Sequence, residues 1–438
     1  MPLRPGRVAA ASLALTGASE RRSPAISERP TGEGPGPEEP YPSRAAASAA
    51  FAAHVNRGKA RALEAIGVDI VIGAREGVRF QDAYSGHWYW NCHCNGGVFN
   101  LGHRHPAVIA AVRAALDDVD IGNHHLVSGH RAALAERLVR STGGELPGVV
   151  FGVSGGEAAD LAIKVVRAGT GRPTIVSARG GYHGHTGLAM AAGDPAYRDV
   201  FGPQPPGFVQ VPFDDLAALD AAVGDDTAAV LLEPIPATLG MPIARDGYLA
   251  AVAALCRARG AMLVLDEVQT GLGRTGRMWC YQHEGVAPDV VITGKGLSGG
   301  VYPIAATLMT RALHAVFDTH PFVHISTFGG AEPGCAAALA VLDVIEAPGF
   351  LERVGALGER LAAGLTGRSY TLRRRGMFMG LAFAMERGGM FAARALYDAG
   401  VFAVWANNDP RVLQFLPPLV LSDAEADELV ATVNRVLP

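Results

Sequence analysis

A single lysine in this sequence has surroundings suited to covalent chemistry. Only three of its 38 Lys and Arg residues are lysines, namely Lys59, Lys164 and Lys295. Lys295 follows a predicted buried strand and lies between Gly294 and Gly296, which let a flat ligand approach closely. A lysine in a desolvated pocket loses its proton readily and becomes a nucleophile for Schiff-base formation. The apolar, glycine-rich flanks favour this role over that of a solvated loop lysine.

An acidic residue at the end of an earlier strand gives Lys295 a chemical partner. The segment 263–269 is a buried strand that ends in Asp266 and Glu267, and open α/β sheets bind ligands at the carboxyl ends of their strands. One strand away from Lys295, Asp266 would keep a pyridine nitrogen protonated, which makes pyridoxal 5'-phosphate (PLP) an effective electron sink. Lys295 and Asp266 are therefore the predicted catalytic residues, with PLP as cofactor.

Two nucleotide-binding interpretations of the same segment fit less well. The strand and its acidic pair resemble the second acidic motif of a P-loop ATPase, but the sequence contains no G-x-x-x-x-G-K-[ST]. Residues 271–276 match the dinucleotide pattern G-x-G-x-x-G. They neither follow the strand directly nor open an obvious helix, as that fingerprint requires.

A phosphate site is predicted where the segment 150–158 runs from a strand into a helix. Ser154, Gly155 and Gly156 form the junction, and exposed amides at a helix N-terminus with a nearby hydroxyl suit an anion. Ser154 and Glu157 also have the spacing of a capping box. The two interpretations are compatible.

An aromatic residue and two histidines follow another predicted strand, in the glycine-flanked loop 181–186. Tyr182 would stack on a planar ring. A metal site at His183 and His185 lacks the acidic or cysteine partners that such a site needs. We expect a ring-binding loop here and no metal.

A second group of potential metal ligands lies in the string 87–95. One histidine, His93, separates Cys92 from Cys94, which does not match a structural zinc spacing. Strand alternation would place Cys92 and Cys94 on one face and His93 on the other. The expected role of these residues is pocket wall or core packing.

The elements that would position these residues alternate along the chain. Apolar runs predict buried strands at 148–153, 174–177, 228–232, 262–265 and 290–293. Amphipathic stretches predict helices at 156–168, 214–223 and 249–259. This alternation is typical of an α/β fold with a mostly parallel sheet flanked by helices. After Val341, helical segments at 350–365 and 422–437 around short strands predict a smaller α+β unit.

The predicted organisation has four parts. Residues 1–45 are rich in Pro, Gly, Ser, Arg and Glu, a composition that favours a disordered extension. Residues 46–105 are an N-terminal segment that contributes to the small domain and the pocket. Residues 106–340 form the large cofactor-binding domain, and residues 341–438 form the C-terminal small domain.

Composition and charge limit the possible functions. With 438 residues, 49% of them hydrophobic, and a formal net charge of −4, the chain lacks the basic excess of a general nucleic-acid binder. No run of eighteen apolar residues is present, so no membrane span is expected. Five cysteines, an odd and small number, suit a reducing compartment, and a cytoplasmic location is expected.

From about residue 60 to its end the chain resembles the class III (ω-type) aminotransferases of PLP fold type I. Many separated strings in matching order carry the resemblance, namely 101–106, 154–158, 182–184, Glu233-Pro234, 266–276, 294–296, 326–330 and 415–418. It implies a seven-stranded-type sheet in the large domain, a small-molecule substrate and a homodimer with the active site at the subunit interface. Because no single motif carries the match, its specificity is high.

The resemblance also implies roles for individual residues. Lys295 would form the internal aldimine and move a proton between substrate and cofactor, and Asp266 would bind the pyridine nitrogen. Val268 would pack under the ring, Gln269 would bond its oxygen, and Tyr182 would stack on the exposed face. The implied contacts to the phosphate and to the rest of the cofactor are Ser154, Gly155, Gly156, His183, Glu233 and, from the other subunit, Thr327.

Several positions depart from the family pattern. Gly156 stands where a threonine is usual, which removes a hydroxyl from the phosphate site. Gln414 replaces the arginine that binds a substrate carboxylate, and Thr238 replaces the glutamate that shields this arginine. Losing both is safer than losing one, since a lone buried charge would be left uncompensated. The expected substrate-pocket residues are Trp90, Cys94, Asn95, Thr238, Arg411 and Gln414.

Three functions follow, of which an aminotransferase acting on an amine or amino acid in small-molecule, possibly secondary, metabolism is favoured. The departures at Gln414 and Thr238 raise a second, a PLP-dependent decarboxylase, racemase or epimerase, aminomutase or C–C bond-forming enzyme on the same scaffold. The third is a non-catalytic binding protein. Retention of the four family residues disfavours it, namely Lys295, Asp266, Gln269 and Thr327.

Overall fold

A twisted sheet of seven strands dominates the computed structural model, which describes residues 39–437. In chain order, the strands of the described residues are β1 Ile72–Glu76, β2 Arg79–Asp82, β3 Trp88–Asn91, β4 Gly148–Gly152, β5 Thr174–Ala178, β6 Phe208–Val211, β7 Thr227–Leu232, β8 Met262–Asp266, β9 Val290–Thr293, β10 Ala305–Met309, β11 Tyr370–Arg375, β12 Phe378–Phe383, β13 Val401–Phe402, β14 Val404–Ala406 and β15 Asp409–Phe415.

The order in the large sheet is β4-β10-β9-β8-β7-β5-β6. Neighbouring strands from β9 to β6 are parallel, and β10 alone runs antiparallel to its neighbours β4 and β9. The predicted mostly parallel α/β sheet is confirmed. The sequence reasoning missed two of its strands, β6 and β10.

Helices cover both faces of this sheet. The longer helices of the described residues are Arg44–His54, Arg57–Ala65, Pro106–Asp118, Gly129–Ser141, Gly155–Thr170, Tyr248–Arg259, Glu332–Ile345, Phe350–Gly364, Gly388–Asp398 and Asp423–Val436. The shorter ones are Cys94–Gly97, Gly187–Ala192, Pro195–Arg198, Leu216–Ala222, Arg311–His314 and Val316–Thr319, with 3-10 turns at Asp199–Phe201, Cys280–His283 and Lys295–Ser298. No single helix among them is long and apolar enough to cross a membrane; one pair, Glu332–Ile345 with Phe350–Gly364, passes the length and composition test jointly but is bent by 69°.

Alternation along the strands explains why both faces are covered. In β7, Val230 and Leu232 belong to one hydrophobic core, while Ala229 and Leu231 belong to the core on the opposite face. All four are buried, since a strand points successive side chains to opposite sides. Each buried leucine contributes about 1.5–3 kcal/mol, so burial stabilises the sheet from both sides.

Two four-stranded sheets form the rest of the described structure. One has the order β1-β2-β3-β13, in which Val401 of β13 pairs in parallel with Trp90 of β3, so N-terminal and C-terminal segments share it. The other has the order β11-β12-β15-β14. This agrees with a smaller unit built from both ends of the chain. The exact domain boundaries stay a prediction, and the helix Glu332–Ile345 runs across the one at residue 340.

The predicted disordered extension lies largely outside the described residues. Within them, the helix Arg44–His54 overlaps the last two residues of the extension predicted over 1–45. The hydroxyl of Ser43 accepts a hydrogen bond from the Ala46 amide and caps this helix. The prediction of disorder is therefore wrong for residues 44 and 45.

Candidate active site

Asp266 and His183 meet at the carboxyl end of the large sheet. Asp266 is the last residue of β8, and His183 lies in the loop that follows β5. The Nδ1 atom of His183 is 2.8 Å from Oδ2 of Asp266, and their side chains are 1% and 6% exposed. The amide of Val268 donates to the other carboxylate oxygen at 3.1 Å. Two donors therefore fix the orientation of the carboxylate.

Charge is favoured on His183 despite its burial. Burial lowers the pKa of the imidazole, but the hydrogen bond to Asp266 and the charges of Asp266 and Glu233 outweigh it and raise the pKa. The sequence analysis named both His183 and Asp266 without anticipating their bond. The two residues are 83 positions apart in sequence, so their contact cannot be predicted without knowing the order of the strands in the sheet.

Lys295 directly follows the strand beside β8. It is two residues beyond the end of β9 and has a left-handed backbone, with φ of 41°. A Cβ atom built on Gly96 would lie 3.0 Å from the Lys295 Nζ and 2.8 Å from the Gln269 Nε2. These two side chains thus converge on one point. Burial lowers the pKa of the Lys295 amine to about 8, against the opposing charges of Asp266 and Glu233, which leaves a useful neutral fraction at neutral pH.

Glu233 is a further buried acid in the same place. It follows β7, is 8% exposed, and accepts a hydrogen bond from the Tyr182 amide at 2.9 Å. Burial raises the pKa of its carboxyl group to about 7, although the nearby His183 opposes this shift.

The N-terminus of the helix Gly155–Thr170 lies beside these groups. The Ser154 hydroxyl accepts from the Glu157 amide at 3.2 Å, and Glu157 reaches back to the Val153 amide at 2.7 Å. The expected capping box therefore forms with its return bond one residue earlier. The amides of Gly155 and Gly156 are in the first turn, where a helix offers them no internal acceptor.

Two close approaches show why glycines stand at this helix start. A Cβ on Gly155 would lie 3.1 Å from a methyl of Val268. A Cβ on Gly156 would lie 3.1 Å from the Thr186 hydroxyl, which makes no capping bond to its own helix. Sequence reasoning missed Thr186. The absence of the usual threonine at position 156 was the one sequence signal that could have prompted a search for another hydroxyl. The Thr186 hydroxyl lies close to where that threonine side chain would begin.

Tyr182 faces the same region from the loop after β5. Its hydroxyl is 2.5 Å from the His185 Nε2, and its ring packs edge-on against Tyr197 at 5.2 Å between centroids. Burial raises the pKa of the Tyr182 hydroxyl to about 12, so it stays protonated and neutral. Among residues 39–437 no group of three or more His, Cys, Asp or Glu side chains could hold a metal ion.

These residues fit a flat, anionic heterocycle such as PLP. Within residues 39–437 the buried atoms His183 Nε2 and Gln269 Oε1 have no hydrogen-bond partner, and buried polar atoms normally have one. A carboxylate at one end, helix amides at the other and a primary amine between them match the ring nitrogen, the phosphate and the aldehyde of PLP.

The predicted substrate side carries charges that are neutralised within the chain. Arg411 makes two hydrogen bonds to Asp409, at 2.7 and 3.0 Å. The Thr238 hydroxyl donates to the Gly180 carbonyl at 3.0 Å. Gln414 is 6% exposed and donates to the Trp405 carbonyl at 3.4 Å. None of the three predicted residues Thr238, Arg411 and Gln414 therefore offers an unpaired cation.

The other predicted pocket residues have different surroundings. Trp90 is buried in the core of the smaller unit, with the Arg79 guanidinium 3.7 Å above its ring. Cys94 is also wholly buried, whereas Asn95 is exposed. Their part in a substrate pocket stays a prediction.

The expected strand alternation across Cys92 to Cys94 is wrong. β3 ends at Asn91, and the residues from Cys94 to Gly97 all have positive φ. The side-chain oxygen of Asn91 accepts from the Cys94 amide at 2.8 Å and turns the chain there. This turn brings Gly96 against Lys295.

A buried arginine that sequence reasoning left without a role supports this turn. Arg274 is 0% exposed and donates twice to Asn100 Oδ1, at 3.2 and 2.6 Å, and once to the Pro417 carbonyl at 2.6 Å. Burial raises the pKa of the Cys94 thiol to about 12, and a contact with Arg274 opposes part of this rise. Arg274 thereby joins the turn to the segment after β15.

Thr327 is exposed, on the segment between the helices Val316–Thr319 and Glu332–Ile345. Two neighbouring segments expose large apolar side chains, and His125 contacts Phe322 across them at 5.8 Å between ring centroids. We call this the apolar surface; its members are Leu126, Val127, Phe322, Val323, Ile325 and Phe328. An exposed apolar area of this kind marks an interaction site.

Comparison with known proteins identifies the family. The family model Aminotransferase class-III matches residues 63–437. An uncharacterized aminotransferase of Archaeoglobus fulgidus is 50% identical over 392 residues, covering 86% of this chain and 90% of the relative. A putrescine aminotransferase of Pectobacterium atrosepticum is 36% identical over 369 residues, covering 80% of this chain and 79% of the relative.

A solved structure agrees with the sequence comparisons. An ornithine aminotransferase from Toxoplasma gondii, with PLP partly occupying its active site, has a TM-score of 0.78 and 28% identity over 84% of this chain and 90% of its own. The chain therefore belongs to the class III aminotransferases. The predicted fold type, the PLP cofactor and the aminotransferase class are confirmed.

Proposed function

We propose that the protein transfers the amino group of a primary amine or amino acid donor at a site formed by Lys295, Asp266 and His183. The observation that carries this proposal is the convergence of the Lys295 amine and the Asp266–His183 pair at the ends of adjacent parallel strands. A non-catalytic binding protein has no use for a buried amine whose pKa is lowered to about 8, since such a shift serves to make the amine nucleophilic.

Each residue has one task in this proposal. PLP supplies an aldehyde that reacts with primary amines and a conjugated ring that accepts electrons. Asp266 keeps a proton at the ring nitrogen, and Lys295 accepts and returns a proton at its Nζ. Gln269 binds the ring oxygen, and Val268 and Tyr182 pack on opposite ring faces.

The phosphate contacts come from three segments. The amides of Gly155 and Gly156 bind the phosphate at the helix N-terminus, with Ser154 beside them. Thr186 supplies the hydroxyl that Gly156 lacks, since it lies 3.1 Å from the position of a Gly156 Cβ. Thr327 contributes from the second subunit of a homodimer.

The homodimer is supported by the apolar surface, on which the exposed Thr327 lies between Ile325 and Phe328. Pairing two such surfaces would remove them from water and bring the Thr327 of one subunit toward the site of the other. The proposed location is the cytoplasm, because all five cysteines are free.

Within this donor class we propose a primary amine that carries no carboxylate. The self-paired Arg411 and the neutral Thr238 and Gln414 support this, because a substrate carboxylate buried there would lack a partner. A diamine such as putrescine and the amino acid alanine are the contrasting probes.

The test follows the absorbance of bound PLP when each probe is added without an acceptor. Conversion of the cofactor to its amine form by putrescine, and less by alanine, is the expected result. A purified protein that binds no PLP contradicts the proposal. Turnover without any amine form indicates the decarboxylase, racemase or lyase-type alternative, and preference for alanine contradicts the narrower choice of a donor without a carboxylate.

A further inference from the structure

Glu233 is a buried acid for which the proposed roles provide no task. It follows β7, the strand between β5 and β8, so it lies between the elements that carry His183 and Asp266. Its only hydrogen-bond donor within residues 39–437 is the Tyr182 amide, at 2.9 Å. A carboxyl group so placed needs a reason, because burying a charge without a partner is costly.

His183 offers the complementary atom. Its Nδ1 is taken by Asp266, whereas its buried Nε2 has no partner within residues 39–437. A methyl group built on Gly181 would lie 3.6 Å from this Nε2 and 3.7 Å from Glu233 Oε1. The imidazole nitrogen and the carboxyl oxygen therefore border the same small space, which Gly181 leaves open.

Five titratable groups face Glu233, from the loop after β5, the helix Pro195–Arg198 and the ends of β8 and β9. The charges of His183 and Lys295 favour its ionised form, and Asp266 disfavours it. Tyr182 and Tyr197 are also close, and an ionised Glu233 disfavours ionisation of both hydroxyls. With burial raising its pKa to about 7, Glu233 changes charge in the pH range where the enzyme would work.

We propose that Glu233 is a positioning residue that acts on Asp266 through His183 and sets the charge of the Asp266–His183 pair. The inference rests on the proposed function, since Asp266 is the residue that faces the cofactor ring there. When Glu233 is ionised it favours the imidazolium form of His183, which holds Asp266 as a carboxylate. When Glu233 is protonated, this support weakens.

The first test uses the chain without cofactor. Infrared difference spectra across pH follow the carbonyl band of protonated carboxyl groups. They are recorded in an E267Q background, because burial also raises the pKa of Glu267 to about 7. We expect a band that disappears with a midpoint near pH 7 and is absent in the E233Q/E267Q chain. A band unchanged by E233Q would overturn the proposal.

The second test uses the chain with bound PLP. The readout is the pH midpoint of the cofactor's absorbance change. E233Q removes a negative charge that faces His183 and Lys295, so the midpoint should fall by about one pH unit. E267Q is the matched control: Glu267 accepts from the Thr270 hydroxyl and the Tyr281 amide, and of the charges at the site it faces Asp266, so its removal should move the midpoint clearly less than E233Q does.

A double variant shows whether His183 carries the effect. In H183N the amide still donates to Asp266 but the Nε2 atom is lost. Adding E233Q to H183N should then move the midpoint clearly less than in the native background, because only the direct attraction between Glu233 and Lys295 remains. Equal shifts in the two backgrounds would refute the route through His183. If PLP does not bind at all, the proposed function fails, while the infrared experiment still decides the charge of Glu233.

Discussion

The cofactor side and the substrate side of the site handle charge in opposite ways. On the cofactor side, Asp266, His183, Glu233 and Lys295 are ionisable groups brought together from four different segments. On the substrate side, Arg411 is paired with Asp409 two residues away on the same strand. The interaction between charges from different segments exists only when the fold brings those segments together. A pair two residues apart on one strand neutralises itself whatever the strand packs against. The first arrangement suits chemistry, and the second leaves no free cation for a substrate carboxylate.

Removing the amine should give the largest effect on the cofactor side. Lys295→Ala should lower the turnover rate by about 10²- to 10⁴-fold from lost proton transfer alone, and abolish the absorbance of covalently held PLP. Lys59→Ala, on an exposed helix, is the control and should behave like the native enzyme. Comparable turnover in both variants would remove Lys295 from the chemistry.

Neutralising the carboxylate should come next. Asp266→Asn keeps the shape but removes the charge that holds the ring proton, so the turnover rate should fall by about 10²- to 10³-fold. Steady-state kinetics with saturating donor measure this. A loss confined to KM, with kcat retained, would show that Asp266 only binds.

Adding a charge on the substrate side should lower the free energy of unfolding more than the turnover rate. Gln414→Arg places a cation at a position that is 6% exposed, with an expected loss of about 3 kcal/mol in unfolding free energy. The double variant Gln414→Arg with Thr238→Glu should recover part of it, as in the pair that the family usually has. Urea unfolding of the three chains checks this; a fully stable single variant would show that the cation finds a partner.

A smaller effect is expected at the phosphate end. Thr186→Val should weaken PLP binding about tenfold, the worth of one hydrogen bond to a charged group, and Thr186→Ser should restore most of it. Titration of the cofactor-free chain with PLP gives the dissociation constants. If valine and serine bind alike, the hydroxyl is not a ligand.

The smallest effect should come from the local pair. Arg411→Gln removes the charge that pairs with Asp409, whose side chain is only 10% exposed, but leaves an amide that can still donate to it, so the unfolding free energy should fall by about 1 kcal/mol and turnover of putrescine should not change. A large loss of turnover with this donor would mean that Arg411 binds substrate. The substrate side would then use an ionisable group for function, as the cofactor side does.

Local sequence pattern predicted the candidate reactive residues and five of the seven strands of the sheet that holds them. Lys295 and Asp266 stand at the ends of apolar runs, and the match to the family spans most of the chain, so local pattern determined both. Strand β8 runs one residue further than expected and β9 has the expected bounds, because fully buried strands leave a strong apolar signal.

Only the tertiary structure decided how these groups act on one another. The Asp266–His183 bond, the Thr186 hydroxyl at Gly156 and the Gly96 turn against Lys295 join residues far apart in sequence. The turn was mispredicted as a strand, since the Asn91 side chain and two glycines overrode alternation there. The spacing of residues along a strand predicts which face of the sheet a side chain lies on. The strand order and the burial of the site decide which side chains contact it, and these contacts set its protonation state.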